Sequence, residues 1–184
     1  LAKTGVNDAG YILQTRYNAS GAKVRGINTE LKIGIPSVFE LQAGYTFQRS
    51  LYNEPEEWSD AVKAERKMFR TPDHYAYFTA SADITKQFKA SLFGNYTGRM
   101  LVQHNAGYIA EDRSELAPSF WDMGAQLAYK FYLTEAINLE LSGGVKNIFD
   151  SFQNDIDRGA NRDSVYIFGP MMPRTFFLGL KFTL

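Results

Sequence analysis

The 184-residue sequence lacks cysteine and lacks an excess of either charge. Without cysteine, a disulfide framework and a thiolate metal site are both excluded. The 20 Lys and Arg residues balance 20 Asp and Glu residues, and the two signs are interspersed along the whole chain. A nucleic-acid partner is therefore excluded, because such a partner requires a basic stripe or patch.

Long apolar runs are also missing. The longest fall far short of the roughly 20 residues that a membrane-spanning helix needs, which excludes a helical membrane protein. The first residues have neither a Met nor the pattern of a signal peptide, so we expect that processing or truncation removed the true beginning. Aromatic residues are abundant instead, with 14 Phe and 11 Tyr beside 15 Gly. In a transmembrane barrel only every second residue of a strand faces lipid, so the overall hydrophobic fraction can be as low as that of a soluble protein.

Apolar and polar residues alternate with a period of two in nearly every ordered stretch, which predicts an all-β chain. Between residues 120 and 133, for example, Trp121, Leu127 and Phe131 fall on one face, and Asp122 and Lys130 fall on the other. Several of the predicted strands reach the roughly 9 to 11 residues that a tilted strand needs to cross a bilayer. We count about eight strands, at residues 11–18, 26–35, 39–48, 74–84, 88–102, 120–133, 137–149 and 176–184.

The connections between these strands alternate between short and long. Short periplasmic turns and long outer loops are typical of antiparallel up-and-down transmembrane β-barrels. The short turns are predicted at residues 36–37, 85–87 and 134–136, and the long loops at 53–73, which we expect to be partly helical, 105–119 and 151–174. If every short turn is periplasmic and every long loop lies outside, the C-terminus is periplasmic. Residues 19–22 then form a short outward-facing hairpin, and residues 1–10 are a periplasmic lead-in.

The two faces of the predicted strands differ in the way a membrane barrel requires. An arginine or lysine facing lipid near mid-bilayer costs about 2 to 4 kcal/mol, so charges belong on the lumen face. The charges predicted to face the lumen are Glu30, Lys32, Arg99, Lys130, Glu140 and Lys181. Aromatic girdles are expected at both interfaces. Those predicted are Phe39, Phe88, Phe131 and Phe182 at the periplasmic rim and Phe47 and Tyr96 at the outer rim.

Three short stretches resemble motifs of TonB-dependent outer-membrane receptors. Residues 24–31 resemble the recurrent strand R-G-[IV]-E, with Asn28 in the place of Glu. Residues 144–150 resemble the strand end V-x-N-[LI]-F-D, which is the most specific match. Residues 173–182 resemble the closing strand P-x-R-x-[FY]-x-[LI]-G-[LI], with one residue fewer between Pro and Arg. Most members of the family end on Phe, whereas this sequence ends on Leu184, with Phe182 two places earlier.

The resemblance implies that residues 1–184 are the C-terminal third of a 22-stranded barrel in the bacterial outer membrane, without its plug domain. It implies TonB-dependent uptake of a scarce nutrient, with an iron complex, haem, cobalamin and a glycan all open. The loop at 155–163 has the style of receptors from the Bacteroides group. The implied partners are outer-membrane lipid, the small-molecule nutrient, TonB through the absent plug, and a surface lipoprotein. The resemblance implies neither a cofactor nor an enzymatic activity.

The long loops hold the candidate binding residues. Tyr52 and Trp58 offer aromatic faces for a ligand, His104 offers a contact to a haem or cobalt ligand, and Arg158 offers a cation. Weak calcium candidates are Asp155, Asp157 and Asp163, because oxygen side chains at alternate positions suit a hard cation. The EF-hand Glu is missing there, however, and a solvated loop is the alternative reading.

Two other functions are weighed against the transporter. An esterase-like enzyme needs a nucleophile elbow, and Ser119 and Ser151 lack the flanking glycines of that motif. A self-contained eight-stranded barrel with a structural or adhesion role is the stronger alternative, since eight strands suffice to close a barrel. Closure distinguishes the two, because a standalone barrel pairs its first strand with its last.

Overall fold

A computed structural model describes residues 2–16, 18 and 20–183, with only the backbone of the first two strands. All regular structure in these residues is β-strand. Across the same residues, no helix is long and apolar enough to span a membrane. The strands are β1 Ala2–Val6, β2 Ile12–Arg16, β3 Ala22–Ile35, β4 Phe39–Glu56, β5 Glu65–Lys67, β6 His74–Asp83, β7 Phe88–Thr97, β8 Met100–His104, β9 Arg113–Ala117, β10 Phe120–Tyr132, β11 Asn138–Lys146 and β12 Thr175–Thr183.

Eight strands form one antiparallel sheet in the order β12-β11-β10-β7-β6-β4-β3, with β5 pairing beside β4 off this path. The long strands are joined in chain order to their neighbours, which is the predicted up-and-down topology. Strands β1 and β2 form a separate hairpin, and β8 and β9 form another. Within the described residues β3 and β12 each pair on one side only, so the sheet is open at both edges.

One face of the sheet, here called the apolar face, is the face that the alternation predicted. Directly opposed residues on neighbouring strands project to the same side, so the register defines rows across the sheet. One complete row is apolar from edge to edge: Ile33, Leu41, Ala80, Leu92, Ala125, Val145 and Phe176. The neighbouring row on this face is Ile35, Phe39, Ala82, Ala90, Leu127, Gly143 and Leu178.

The opposite, polar face carries the charges. Lys130, Glu140 and Lys181 align in one row across β10, β11 and β12, as the alternation predicted. Lys32 lies 3.4 Å from Glu40 on the same face. The Tyr77 hydroxyl donates to Glu30 at 3.3 Å. Arg99 is an exception, because it lies between β7 and β8 and not within a strand.

Tight turns close one end of the sheet, here called the turn end. Ser37 adopts a left-handed conformation at φ 57° between β3 and β4, and Val38 N–H donates to the Ile35 carbonyl at 3.0 Å. In each of the other two turns, a threonine hydroxyl stabilises the chain reversal through hydrogen bonds to the backbone. The hydroxyl of Thr85 accepts hydrogen bonds from two following backbone N–H groups, and that of Thr134 does the same. The predicted short turns are thus confirmed.

The aromatic rims also align across strands. At the end opposite the turns, here called the loop end, Phe47 contacts His74 at 5.0 Å and Tyr96 contacts Trp121 at 5.0 Å between ring centroids. The Tyr45 hydroxyl lies 2.7 Å from Nδ1 of His74, which gives this rim histidine a polar partner. At the turn end Phe131, Leu139 and Phe182 fall in one row.

Several predicted boundaries are wrong. Residues 1–10 were expected as a lead-in, but Ala2–Val6 is a strand that pairs with β2. Strand β4 continues to Glu56, so the loop predicted from residue 53 starts later, and it contains the short strand β5 where helix was expected. Both differences arise from backbone pairing with another segment of the chain, which alternation within one stretch does not report.

The strand predicted at 88–102 is also interrupted. Gly98 N–H donates to the His74 carbonyl at 2.7 Å, and the chain then leaves the main sheet to form the β8–β9 hairpin. The loop predicted at 105–119 therefore contains β9. The hairpin expected at 19–22 includes Ala19, which, like the terminal Leu184, lies outside the described residues.

Glycines on the polar face make room for aromatic rings, which yields a stability prediction. A Cβ at Gly144 would contact the Ala125 carbonyl oxygen and lie 2.6 Å from Cζ of Phe177, whereas a Cβ at Gly34 meets nothing within 4 Å. We expect Gly144→Ala to lower the free energy of unfolding of the barrel by about 1 to 3 kcal/mol, the usual cost of overpacking. The matched variant Gly34→Ala should be neutral. Denaturant unfolding of the intact protein measures both, and equal destabilisation would show that the ring packing is irrelevant.

Candidate functional site

The three long connections at the loop end fold together into one body, here called the loop cap, made of residues 57–73, 98–119 and 147–174. Its core consists of residues from two of these connections: Met100, Val102, Ala117, Tyr166 and Phe168. Val102 is fully buried. The β8–β9 hairpin supplies the first three core residues because its strand alternation turns them to one side. The loop cap is therefore ordered by its own apolar packing.

Arg70 joins all three connections. Its backbone N–H donates to the Leu101 carbonyl at 2.7 Å, which ties the first connection to the second. Its guanidinium donates to the Ile167 carbonyl at 2.9 Å and to the Val165 carbonyl, both in the third. Arg70 also has a φ of 55°, a conformation that non-glycine residues seldom adopt outside constrained sites.

The motif at 144–150 closes the base of the third connection. Asn147 is buried and left-handed at φ 49°, and its amide nitrogen donates to the carbonyls of Ser151 and Met172 at 2.9 Å each. Its amide oxygen accepts from Ser151 N–H at 2.8 Å. Asp150 accepts from the backbone N–H of Arg174 at 2.8 Å. The two motif residues thus hold the loop closed where it leaves and re-enters the sheet.

His104 is a buried titratable residue of the loop cap. It is 5% exposed, and its Nε2 lies 3.0 Å and 3.1 Å from the two carboxylate oxygens of Asp157, which is 3% exposed. The imidazole stacks on the Tyr166 ring at 3.6 Å with the planes 5° apart. Nδ1 has no hydrogen-bond partner among the described residues and lies 3.9 Å from the Glu115 carboxylate. The histidine packs against Tyr166 and pairs with Asp157 inside the loop cap.

The three carboxylates named as calcium candidates accept from protein donors. Asp155 accepts from the Tyr166 hydroxyl at 2.9 Å, and Asp157 also accepts from Asp163 N–H at 2.9 Å. Asp163 itself accepts from the backbone and side-chain amides of Asn105 at 2.8 Å. Within the described part of the chain, no group of three or more His, Cys, Asp or Glu side chains is arranged to hold a metal.

The same contacts shift two pKa values. Burial by itself would raise the pKa of Asp163, but the hydrogen bonds from Asn105 and Val165, and the nearby charge of His104, outweigh it and lower the pKa below its ordinary value. Burial raises the pKa of the Tyr166 hydroxyl, and its hydrogen bond to Asp155 raises it further. Tyr166 therefore stays protonated and Asp163 stays ionised at neutral pH.

Trp58 and Tyr52 have different surroundings. Trp58 is 6% exposed, donates its indole N–H to the Ser114 hydroxyl at 3.2 Å and makes an edge contact with Phe69 at 6.2 Å. The indole ring of Trp58 is therefore packed inside the loop cap. Tyr52 is half-buried in the outer part of β4, and Arg158 is exposed. Of the four candidate ligand residues, these last two remain on accessible surface.

A basic groove that the sequence reasoning missed lies between the outer parts of β3 and β4. It encloses about 930 Å³, and its basic lining residues are Lys23, Arg25, Arg49 and Arg66. Apolar side chains of Ile27, Phe47 and Leu51 line it as well. A hairpin turn centred on Ser37 pairs residue 25 with residue 49. Once this turn is placed, the sequence alone predicts that Arg25 and Arg49 are neighbours.

The comparisons with known proteins agree with this architecture. No family model and no curated protein matches the sequence. Among solved structures, the ferric-catecholate import receptor Fiu from E. coli K12 in its closed form is similar, with a TM-score of 0.64 at 20% identity over 98% of this chain and 23% of Fiu. The siderophore receptor PirA from Acinetobacter baumannii has a TM-score of 0.60 at 16% identity over 100% of this chain and 26% of PirA.

A third similar structure is the ferripyoverdine receptor of the outer membrane of Pseudomonas aeruginosa, bound to ferripyoverdine. Its TM-score is 0.64 at 14% identity, over 100% of this chain and 23% of that receptor. The chain thus spans about a quarter of the length of these receptors. The predicted fold class is confirmed: this chain has the all-β, antiparallel up-and-down fold of a segment of a 22-stranded receptor barrel.

Proposed function

We propose that residues 1–184 supply the final part of the wall, and part of the surface lid, of a TonB-dependent receptor that imports a ferric chelate across the bacterial outer membrane. The observation that carries this proposal is the combination of an apolar-faced sheet with a packed loop cap at one end of it. A transporter wall needs the first, and a surface that closes over a scarce ligand needs the second. Iron chelate is preferred over haem, cobalamin or glycan because the similar solved structures are a ferric-catecholate import receptor, a siderophore receptor and a ferripyoverdine receptor.

The roles of the parts follow from their chemistry. The apolar face contacts lipid, and the polar face with Lys130, Glu140 and Lys181 lines a wet lumen. The ligand is held at the outer surface of the loop end, where Tyr52 of β4 and Arg158 of the loop cap are the candidate contacts. The energy-coupling partner TonB acts on a plug domain outside this chain, and a surface lipoprotein is a further partner. No catalytic step and no cofactor are required.

The standalone barrel remains the alternative to test. Within the described residues β3 and β12 are at opposite edges of the sheet and pair with different neighbours. A closed barrel of this chain alone needs its terminal strands to pair, so the open sheet favours a segment of a larger wall.

The test has two parts. First, an immunoblot of outer-membrane fractions with an antibody against residues 57–73 should detect a polypeptide several times heavier than 20.8 kDa. Second, the intact receptor, expressed in a strain without other siderophore receptors, should take up radiolabelled ferric catecholate only when TonB is present. A band near 20.8 kDa would contradict the segment, and TonB-independent uptake would contradict the transport mechanism.

A further inference from the structure

We propose that a second pocket at the loop end binds a small organic cation with a fully methylated ammonium group. The pocket, here called the aromatic pocket, encloses about 480 Å³ between the start of β10 and the third connection. Its aromatic lining residues are Phe120, Trp121, Phe149, Phe152 and Phe168. The candidate nutrient contacts Tyr52 and Arg158 do not line it, so the inference does not depend on the nutrient.

Ring surface is available to a ligand in this pocket. Trp121 is 42% exposed, and Phe149 and Phe152 are 59% and 60% exposed. Phe168, in contrast, is buried in the core of the loop cap, so the aromatic pocket adjoins that packed core. The face of an aromatic ring carries partial negative charge and attracts a cation within about 6 Å of its centre, most strongly at tryptophan.

The aromatic pocket is ordered by contacts within its own wall. The amide oxygen of Gln153 accepts from Phe168 N–H at 3.0 Å, and its amide nitrogen donates to the Tyr166 carbonyl at 3.2 Å. Gln153 is buried, so these bonds tie two parts of the third connection together. On the β10 side the Trp121 ring contacts the Tyr96 ring at 5.0 Å between centroids. A site that is ordered before its ligand arrives loses less conformational freedom on binding.

The charged group at the aromatic pocket is a carboxylate. Asp155 is exposed there, and no lysine or arginine is among the described residues that line the pocket. One oxygen of Asp155 accepts from the Tyr166 hydroxyl at 2.9 Å. Among the residues that the structure describes, Asp155 forms no ion pair. The aromatic pocket therefore combines ring faces with an unneutralised negative charge, which attracts a cation and repels an anion.

The lining distinguishes a methylated ammonium from other cations. A primary ammonium has three N–H donors that need acceptors, and Ca²⁺ needs about six to eight oxygen ligands. The aromatic pocket supplies one carboxylate, and the amide groups of Gln153 are already hydrogen-bonded within the protein. A fully methylated ammonium has no N–H to satisfy and keeps its charge, so rings with a single carboxylate suit it.

The volume of the aromatic pocket exceeds the ammonium group alone, so the ligand has a further part. Pockets of this size hold whole small molecules. Asn154 and Ser119 are exposed at the pocket and offer an amide and a hydroxyl to that part. Choline, which joins a trimethylammonium group to a hydroxyl, carries both features and is the probe for the site.

The experiment measures choline binding to the purified intact protein in detergent by isothermal titration calorimetry. The first comparison uses the unaltered protein and needs no variant. Its second ligand is the neutral analogue of choline in which a carbon atom replaces the ammonium nitrogen. The two ligands have the same shape and differ in charge, so we expect the neutral analogue to bind at least tenfold more weakly.

Two variants then test the named contacts. Phe152→Leu removes a ring and keeps apolar bulk, and Asp155→Asn removes the charge and keeps an oxygen that accepts from Tyr166. We expect each to weaken choline binding by about fivefold or more. Their controls are Phe131→Leu, at the turn end, and Glu111→Gln, an exposed carboxylate of the loop cap outside the aromatic pocket. Both controls should bind choline as the unaltered protein does.

Four results would overturn the proposal. They are no binding of choline by the unaltered protein, equal affinity for choline and its neutral analogue, unchanged choline affinity in both test variants, and tighter binding of glucose than of choline. The last would make the aromatic pocket a saccharide site. The titration requires neither TonB nor uptake, so a failure of the proposed iron-chelate transport leaves its outcome unaffected.

Discussion

Replacement of Leu127 by arginine should prevent stable insertion of the barrel, whereas the same replacement at Gln126 should be tolerated. Leu127 is near the middle of β10 on the apolar face, between Ala90 and Gly143 in the register, and is 53% exposed. A lipid-facing arginine at that depth costs about 2 to 4 kcal/mol, a large share of the roughly 5 to 15 kcal/mol by which a domain is stable. The amount of folded protein in outer-membrane fractions, the location given in the proposed function, measures the effect.

The neighbouring residue provides the control. Gln126 projects to the polar face, opposite Ser91 and Gly144, on the side of the sheet away from the apolar rows. Both variants add one positive charge at nearly the same depth, so only the direction of the side chain differs. Comparable loss of folded protein in both would contradict the assignment of the apolar face to lipid.

Asp157→Ala should open the loop cap. The substitution removes the acceptor of both the His104 imidazole and the Asp163 backbone N–H. A buried donor that loses its acceptor costs about 1 to 3 kcal/mol, because the group stays buried without a hydrogen bond. Hydrogen exchange in the intact protein is the measurement. Amides of Arg70 and Asp163 should exchange at least a hundredfold faster, while those of β10 and β11 keep their protection.

Two further variants test the reason for that loss. Asp157→Asn keeps an oxygen that accepts from Asp163 N–H, so it should cost less than Asp157→Ala. Glu111→Ala removes an exposed loop carboxylate and should leave exchange unchanged. Equal exchange in Asp157→Ala and Glu111→Ala would show that the buried pair does not hold the cap together.

The sheet was predictable because its signal is local. Alternation within one stretch separates Trp121 and Leu127 from Asp122 and Lys130, and a period of two determines which residues share a face. The hairpin turns follow from short polar connections such as the one at Thr85. Once the turns are placed, antiparallel geometry pairs the strands in chain order, so the register of neighbours such as Leu41 and Ile33 follows as well.

The loop cap was less predictable because its contacts are distant along the chain. Arg70 bonds to carbonyls 95 and 97 residues away, and His104 meets an aspartate 53 residues away. Trp58 was predicted to contact a ligand because the sequence does not show a packing partner for a tryptophan in a long loop. Its partner Ser114 is 56 residues away.

The sequence by itself determined the fold class, the two faces of the sheet and the end at which its long loops gather. These properties depend on side-chain period and turn chemistry, which act between near neighbours. Only the tertiary structure decided that β4 extends to Glu56, that His104 and Trp58 are buried, and that Arg25 and Arg49 share a groove with Arg66. Those outcomes depend on which loops contact each other in the folded protein. These contacts are stabilised by burial and hydrogen bonds between segments that share no sequence periodicity.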